Sequence, residues 1–108
     1  MQNKNSNKSL KLSNGLNNKI IIVYANVFLK TAKQLSIKHQ EKLADLLEVL
    51  TKNPFHSYLH TKSLKGELMG FYSFRITRDW RVIFQFIDLN KIKLIRVGNR
   101  KDIYKKNY

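Results

Sequence analysis

Cysteine is absent from the 108 residues, which excludes disulfide scaffolds, thiolate zinc sites and cysteine nucleophiles and makes a reducing compartment the default expectation. Acidic residues are scarce: seven Asp and Glu stand against 21 Lys and Arg, a formal net charge of +14. The few carboxylates fall mostly on expected helix surfaces or in turns, which argues against the paired acids of a glycosidase. The four glycines, Gly15, Gly66, Gly70 and Gly98, are scattered; without a Gly-rich loop followed by Lys-Ser/Thr, nucleotide hydrolysis is excluded. The three histidines, His39, His56 and His60, do not fall at i, i+4 on one helix and have no acidic cluster beside them, so neither a metal nor another cofactor is expected. Long hydrophobic runs are missing too. The run Ile20–Tyr24 has the length of a strand, far below the roughly 20 residues of a membrane-spanning helix, and no membrane contact is expected. The first 19 residues lack the apolar segment of a secretory signal, and the expectation is a cytoplasmic protein.

What is present suits one small core. Hydrophobic residues make up 43% of the chain and aromatics 11%, enough for a single domain of this size and too much for wholesale disorder. The excess positive charge points to a polyanionic partner. It is concentrated in the C-terminal half, where all five arginines lie: Arg75, Arg78, Arg81, Arg96 and Arg100. Arginine has the planar fork that matches two phosphate oxygens at once, so phosphate recognition is favoured over diffuse attraction.

Residues 1–18 hold six Asn and little apolar periodicity, and read as a flexible basic arm ahead of one domain over 19–108. The β-branched run Lys19–Tyr24 predicts a buried first strand, with Asn26 positioned to cap a following helix. Phe28, Leu29, Ala32 and Leu35 recur at helical spacing, giving a short amphipathic helix. Ser36 is a plausible cap for a second helix, whose Leu43, Leu46, Leu47 and Leu50 repeat the same template until Asn53-Pro54 stops it. Beyond the proline the period becomes two. Tyr72, Phe74 and Ile76 alternate with Ser73, Arg75 and Thr77; Val82, Phe84 and Phe86 alternate with Arg81, Ile83 and Gln85. Residues 77–80 read as the turn between these strands, and Ile92–Val97 as a further strand closed by Gly98. Strand, helix, helix and then three or four strands argue for an α+β fold. Two N-terminal helices cover one face of a twisted, mainly antiparallel sheet of four to five strands, and the other face carries Arg and polar side chains.

The chemistry available is a set of cations, aromatics and hydroxyls: Lys62, Lys65, Arg75, Arg78, Asp79, Trp80, Arg81, Arg100, Lys101 and Tyr104. That set suits RNA, whose own 2′-hydroxyl attacks the neighbouring phosphate once it is oriented and deprotonated. Fixed guanidiniums stabilise the charge that develops on the phosphate oxygens. Lys or Tyr can move protons if their pKa values are depressed, and Trp80 or Tyr104 can stack an unpaired base. Against this stand plainer readings: Trp80 as a core or turn-packing residue, and Tyr104 as a pin for the C-terminal tail.

The segments Asn53-Pro-Phe55, Leu64-Lys-Gly66, Gly70-Phe-Tyr-Ser-Phe-Arg-Ile-Thr-Arg-Asp-Trp-Arg-Val-Ile-Phe84 and Val97-Gly-Asn-Arg-Lys-Asp-Ile-Tyr104 together resemble the RelE/ParE superfamily of toxin–antitoxin toxins, from about Lys19 to Tyr104. The resemblance implies a compact sheet with two N-terminal helices and a cognate antitoxin whose acidic or amphipathic segment wraps the basic face. In the RelE/YoeB/YafQ-like branch it further implies an mRNA interferase, an endoribonuclease that cuts mRNA on the ribosome without metal. It places Arg75 and Arg81 at the scissile phosphate and Tyr104 against the nucleotide. Asp79-Trp80 matches the pair at which YafQ-like toxins keep active-site residues, and Arg100 stands where those proteins have a catalytic histidine. Asn99 stands where many relatives carry histidine, and Ser73 where RelE-like toxins have lysine. Lys62, Lys65, Arg78 and Lys101 are left to grip RNA backbones. Two alternatives remain open: a ParE-like inhibitor of DNA gyrase, and a decayed toxin that binds its antitoxin and little else.

Overall fold

The β-branched run does form a strand. In the computed structural model, which describes residues 19–105, β1 spans Ile21–Tyr24 and is followed by helices α1 (Asn26–Ala32) and α2 (Ile37–Lys52). A 3-10 turn at Ser57–Leu59, β2 (Lys62–Ser63), a second 3-10 turn at Gly66–Leu68, β3 (Tyr72–Arg75), β4 (Trp80–Asp88) and β5 (Lys91–Asn99) complete the order. The expected arm of residues 1–18 lies outside the described residues. The strands form one five-stranded sheet in the order β1-β5-β4-β3-β2. The β1–β5 pair is parallel and the rest are antiparallel, which is the mixed α+β architecture expected from the element order. No helix among the described residues is long and apolar enough to cross a membrane.

The main core lies between the helices and one face of the sheet. Phe28 of α1 and Leu43, Leu46 and Leu50 of α2 meet Phe74, Ile76, Val82, Phe84, Ile92, Leu94 and Val97. Ser36 caps α2, its hydroxyl accepting the His39 backbone N–H at 3.1 Å. Asn53 ends that helix in an extended conformation, as the proline after it requires. The N-terminus of α1 differs from expectation: its cap is Ala25, with no side-chain hydrogen bond, and Asn26 is already helical. Leu29 is exposed, because it stands one residue, or about 100°, round the helix from Phe28, which faces the core. The helix is fixed instead by Thr31, whose hydroxyl accepts the Val97 N–H of β5 at 2.9 Å.

Two further expectations are corrected. β1 is an edge strand, not a buried one, and leaves Ile21 and Tyr24 about half exposed; a β-branched run specifies extended backbone without specifying where in the sheet it pairs. The face of the sheet away from the helices is also not simply polar. A second apolar cluster of Leu64, Leu68, Ile83 and Ile103 covers part of it, with Phe71, Ile95 and Tyr104 packed against it.

Candidate functional site

Strand register brings the cations together. In the antiparallel β3–β4 pair Arg75 stands directly opposite Arg81, and Ser73 opposite Ile83; across β2–β3, Lys62 stands opposite Ser73. Cross-strand partners and i, i+2 neighbours share a face, so Lys62, Ser73, Arg75 and Arg81 all project from the side away from the helices.

Arg81 is the unusual member, since only 8% of its surface is exposed. Its Nε and Nη2 donate to the Arg78 carbonyl at 3.4 and 3.2 Å, and its Nη1 donates to the Tyr104 hydroxyl at 3.1 Å. These acceptors are neutral, and among the described residues no carboxylate pairs with the guanidinium. A cation withdrawn from water without a counter-charge carries a desolvation cost that an anionic ligand offsets. The Tyr104 hydroxyl in turn donates to Ser73 Oγ at 3.2 Å, and the Lys62 ammonium lies 5.4 Å from the centre of the Tyr104 ring. Burial raises the phenol's pKa. The hydrogen bonds to Ser73 and Arg81 and the charges of Arg81 and Lys62 outweigh that effect, so the net pKa is lowered from 10.0.

Tyr104 reaches this position through the turn that follows β5. The Asn99 carbonyl accepts the N–H groups of Asp102 and Ile103, both at 2.9 Å, and its side-chain oxygen accepts the Lys101 N–H at 3.0 Å. The turn then folds back across the sheet and seats Ile103 on Gly98, where an added Cβ would stand 3.3 Å from Ile103 Cβ. The Arg100 N–H donates to the Asp79 carbonyl at 2.7 Å, and the two side chains pair at 3.4 Å. Asp79 and Arg100 thus join the β3–β4 turn to the C-terminal turn.

Beside Tyr104 opens a cleft of about 330 Å³, lined by Lys62, Leu64, Lys65, Glu67, Leu68 and Tyr104. Arg78 and Lys101 are exposed near the two turns. Trp80 stands apart from this group: it packs against the main core on the helix side, the opposite face from Arg81, as its plainer reading describes. Ser73 was visible to sequence reasoning only as a substitution, although its alternation with Arg75 already put it on the site's face. Gly98 and Ile103 gave no sign of their part, because their contact depends on a turn closing in space. Among the described residues no three His, Asp or Glu side chains gather as a metal-binding group.

Residues 26–100 match the family model of the YoeB-like toxin of bacterial type II toxin–antitoxin systems. No curated protein matches the chain significantly in sequence. Among solved structures, the YoeB dimer from Staphylococcus aureus is similar at 25% identity and a TM-score of 0.62, over 74% of this chain and 95% of that one. The YoeB/ParE toxin from Agrobacterium tumefaciens superposes with a TM-score of 0.64 at 20% identity, over 74% of this chain and 98% of its own. The E. coli DinJ–YafQ toxin–antitoxin complex gives 0.65 at 21% identity, over 80% and 98%; at such identities these last two speak to the fold alone. With a family model covering most of the chain and the fold in agreement, the protein belongs to the YoeB-like toxins of type II toxin–antitoxin systems.

Proposed function

We propose that this toxin is an mRNA interferase: a metal-independent endoribonuclease that cleaves mRNA on the ribosome. The observation that carries the reading is the Arg81–Tyr104–Ser73 chain, a buried cation with neutral partners bonded to a tyrosine of lowered pKa. In the proposed reaction the 2′-oxygen of the substrate attacks the adjacent phosphorus and the bond to the 5′-oxygen breaks, leaving a 2′,3′-cyclic phosphate and a 5′-hydroxyl. Arg81 and Arg75 bind the non-bridging oxygens and stabilise the added charge. The Tyr104 phenolate, supported by Arg81 and Ser73, takes the 2′-proton, and the departing 5′-oxygen is protonated from solvent. Asp79 and Arg100, paired with each other, position the turn that carries Tyr104. Lys65, Arg78, Asn99 and Lys101 line the approach to ribosomal and messenger RNA backbones. The partner in the resting state is a cognate antitoxin with an acidic or amphipathic segment laid over the basic face; complexes such as DinJ–YafQ on this fold support it.

The test is to induce the toxin without its antitoxin and map mRNA 5′ ends, beside Arg81→Ala. The expected result is new, translation-dependent cuts that fall by about 10²–10³ in the variant, the cost of removing one donor to a developing oxyanion. Growth arrest with intact mRNA and an induced DNA-damage response would replace the reading with gyrase inhibition. Intact mRNA with normal growth would leave a protein that only binds its antitoxin.

A further inference from the structure

β5 outruns the strand beside it. Its parallel partner β1 pairs with Lys91–Leu94 and ends at Tyr24; the Ala25 N–H still donates to the Leu94 carbonyl at 2.9 Å, and the chain then leaves the sheet for α1. No strand covers this edge of β5 from Ile95 to Asn99. The Asn90 and Leu94 carbonyls accept from Ile21 and Ala25, so up to Leu94 the even-numbered residues turn their backbone groups to this side. One extra residue, Ile95, then stands between the pairs Phe84–Leu94 and Ile83–Arg96, and the bulge hands the edge position to Val97. Val97 is 3% exposed, and a backbone N–H buried without an acceptor is costly. The acceptor comes from a helix: Thr31 Oγ1 of α1 takes the Val97 N–H at 2.9 Å. The hydroxyl's own proton goes to the Val27 and Phe28 carbonyls, at 2.7 and 3.1 Å. That second bond is ordinary for a helical threonine; the first joins α1 to the strand.

The bond stands one and two residues from the parts that build the site. Gly98 pairs with Arg81 and supports Ile103, and Asn99 holds the turn that brings Tyr104 back across the sheet. β4 fixes the same stretch from its other side, through the pairs Val82–Val97, Arg81–Gly98 and Trp80–Asn99. Beyond the turn there is little slack. The bonds of the Tyr104 hydroxyl with Arg81 and Ser73 are 3.1 and 3.2 Å long, and a shift of about 0.5 Å takes such bonds past useful range. We propose that Thr31 is a positioning residue: its hydroxyl fixes the end of β5 from which the Tyr104 turn springs, and so sets the distances within the Arg81–Tyr104–Ser73 chain from the opposite side of the sheet. Its consequence for cleavage rests on the nuclease reading, whereas its effect on Tyr104 does not.

The experiment titrates Tyr104 in the full chain without RNA, by NMR of ring-labelled tyrosine assigned with Tyr104→Phe. The wild-type midpoint is expected below 10.0. Thr31→Val keeps the side chain's shape and removes the acceptor, and is expected to move the midpoint back up towards 10.0; Thr31→Ser is expected to restore it. Thr51→Val is the control for a helix weakened elsewhere, since the Thr51 hydroxyl donates to the Glu48 carbonyl of α2 at 2.7 Å, and it is expected to leave Tyr104 unmoved. On ribosomes, Thr31→Val is expected to lower kcat by about 10–10², the scale of a catalytic group displaced by a fraction of an ångström to one ångström, with KM nearly unchanged. If Thr31→Val does not fold, Thr31→Ala takes its place. An unmoved midpoint in the loss variant, a midpoint not restored in Thr31→Ser, an equal shift in Thr51→Val, or failure of both loss variants to fold overturns the proposal. A shifted midpoint in a protein whose wild type cuts no mRNA keeps Thr31 in this role and removes the nuclease reading.

Discussion

Arg81 and Tyr104 hold opposite protonation tendencies in check within one hydrogen bond. The guanidinium cannot shed its proton, so the strain of its burial falls on the phenol, which releases its own more easily than an isolated tyrosine. The effect on stability has a definite sign. With the folded pKa below the unfolded value of 10.0, the native state binds fewer protons between the two, and the contribution of Tyr104 to stability grows as pH rises through that window and is lost as pH falls through the folded pKa. In denaturant unfolding, the gap between the wild type and Tyr104→Phe should widen towards pH 10 and level off above it. A gap independent of pH would mean that the phenol ionises alike in the folded and unfolded chains, and a gap that narrows would mean that folding holds it protonated. For cleavage by a reconstituted ribosome complex, the same pair should show a rate that rises with pH in the wild type and lacks that limb in Tyr104→Phe.

At the scale of elements, the site is a hairpin completed by a turn. β3 and β4 present Arg75 and Arg81 side by side, and the turn after β5 delivers Tyr104 by resting Ile103 on Gly98. A methyl group at Gly98 would press on Ile103 at 3.3 Å and lift the turn, so Gly98→Ala is expected to cost about 1 kcal/mol of stability and to reduce cleavage disproportionately. Thermal melting beside cleavage assays checks this, and unchanged activity with a lowered Tm would remove Gly98 from the positioning of Tyr104. The hairpin was legible in the sequence because alternation is local: Ser73 and Arg75 read as one face from their spacing, while Arg81 joins them only through the strand register that sets it opposite Arg75. The second helix was legible for the same reason, each of its leucines lying within about one turn of the next and its Ser36 cap standing directly before the first helical residue. The cover over the far face was not. Leu64, Leu68, Ile83 and Ile103 come from separate segments, and no period links them until the chain has folded. The ion pair of Asp79 with Arg100 was hidden likewise, so two residues expected to act on substrate were not recognised as partners of each other.

For the molecule as a whole, charge and topology act on different properties. The excess of +14 governs what the toxin meets and how fast, by drawing polyanions to the surface; it says nothing of how the chain comes to be folded. That is governed by the parallel pairing of β1 with β5, in which Ile21 meets Lys91 and Tyr24 meets Leu94. The earliest strand therefore borders the latest, and waits at the sheet's margin for a neighbour that the hairpin β4–β5 must first create. Loop-closure entropy predicts an assembly that runs against the direction of synthesis, in which the C-terminal meander forms by short-range closures and β1 docks afterwards. Trimming β1 contacts, as in Ile22→Val, should accordingly speed unfolding and leave the refolding rate nearly untouched in a chevron plot, whereas an equal loss within the hairpin, as in Ile92→Val, should slow refolding. On that expectation the strand that opens the domain is the last to close it and the first to let go.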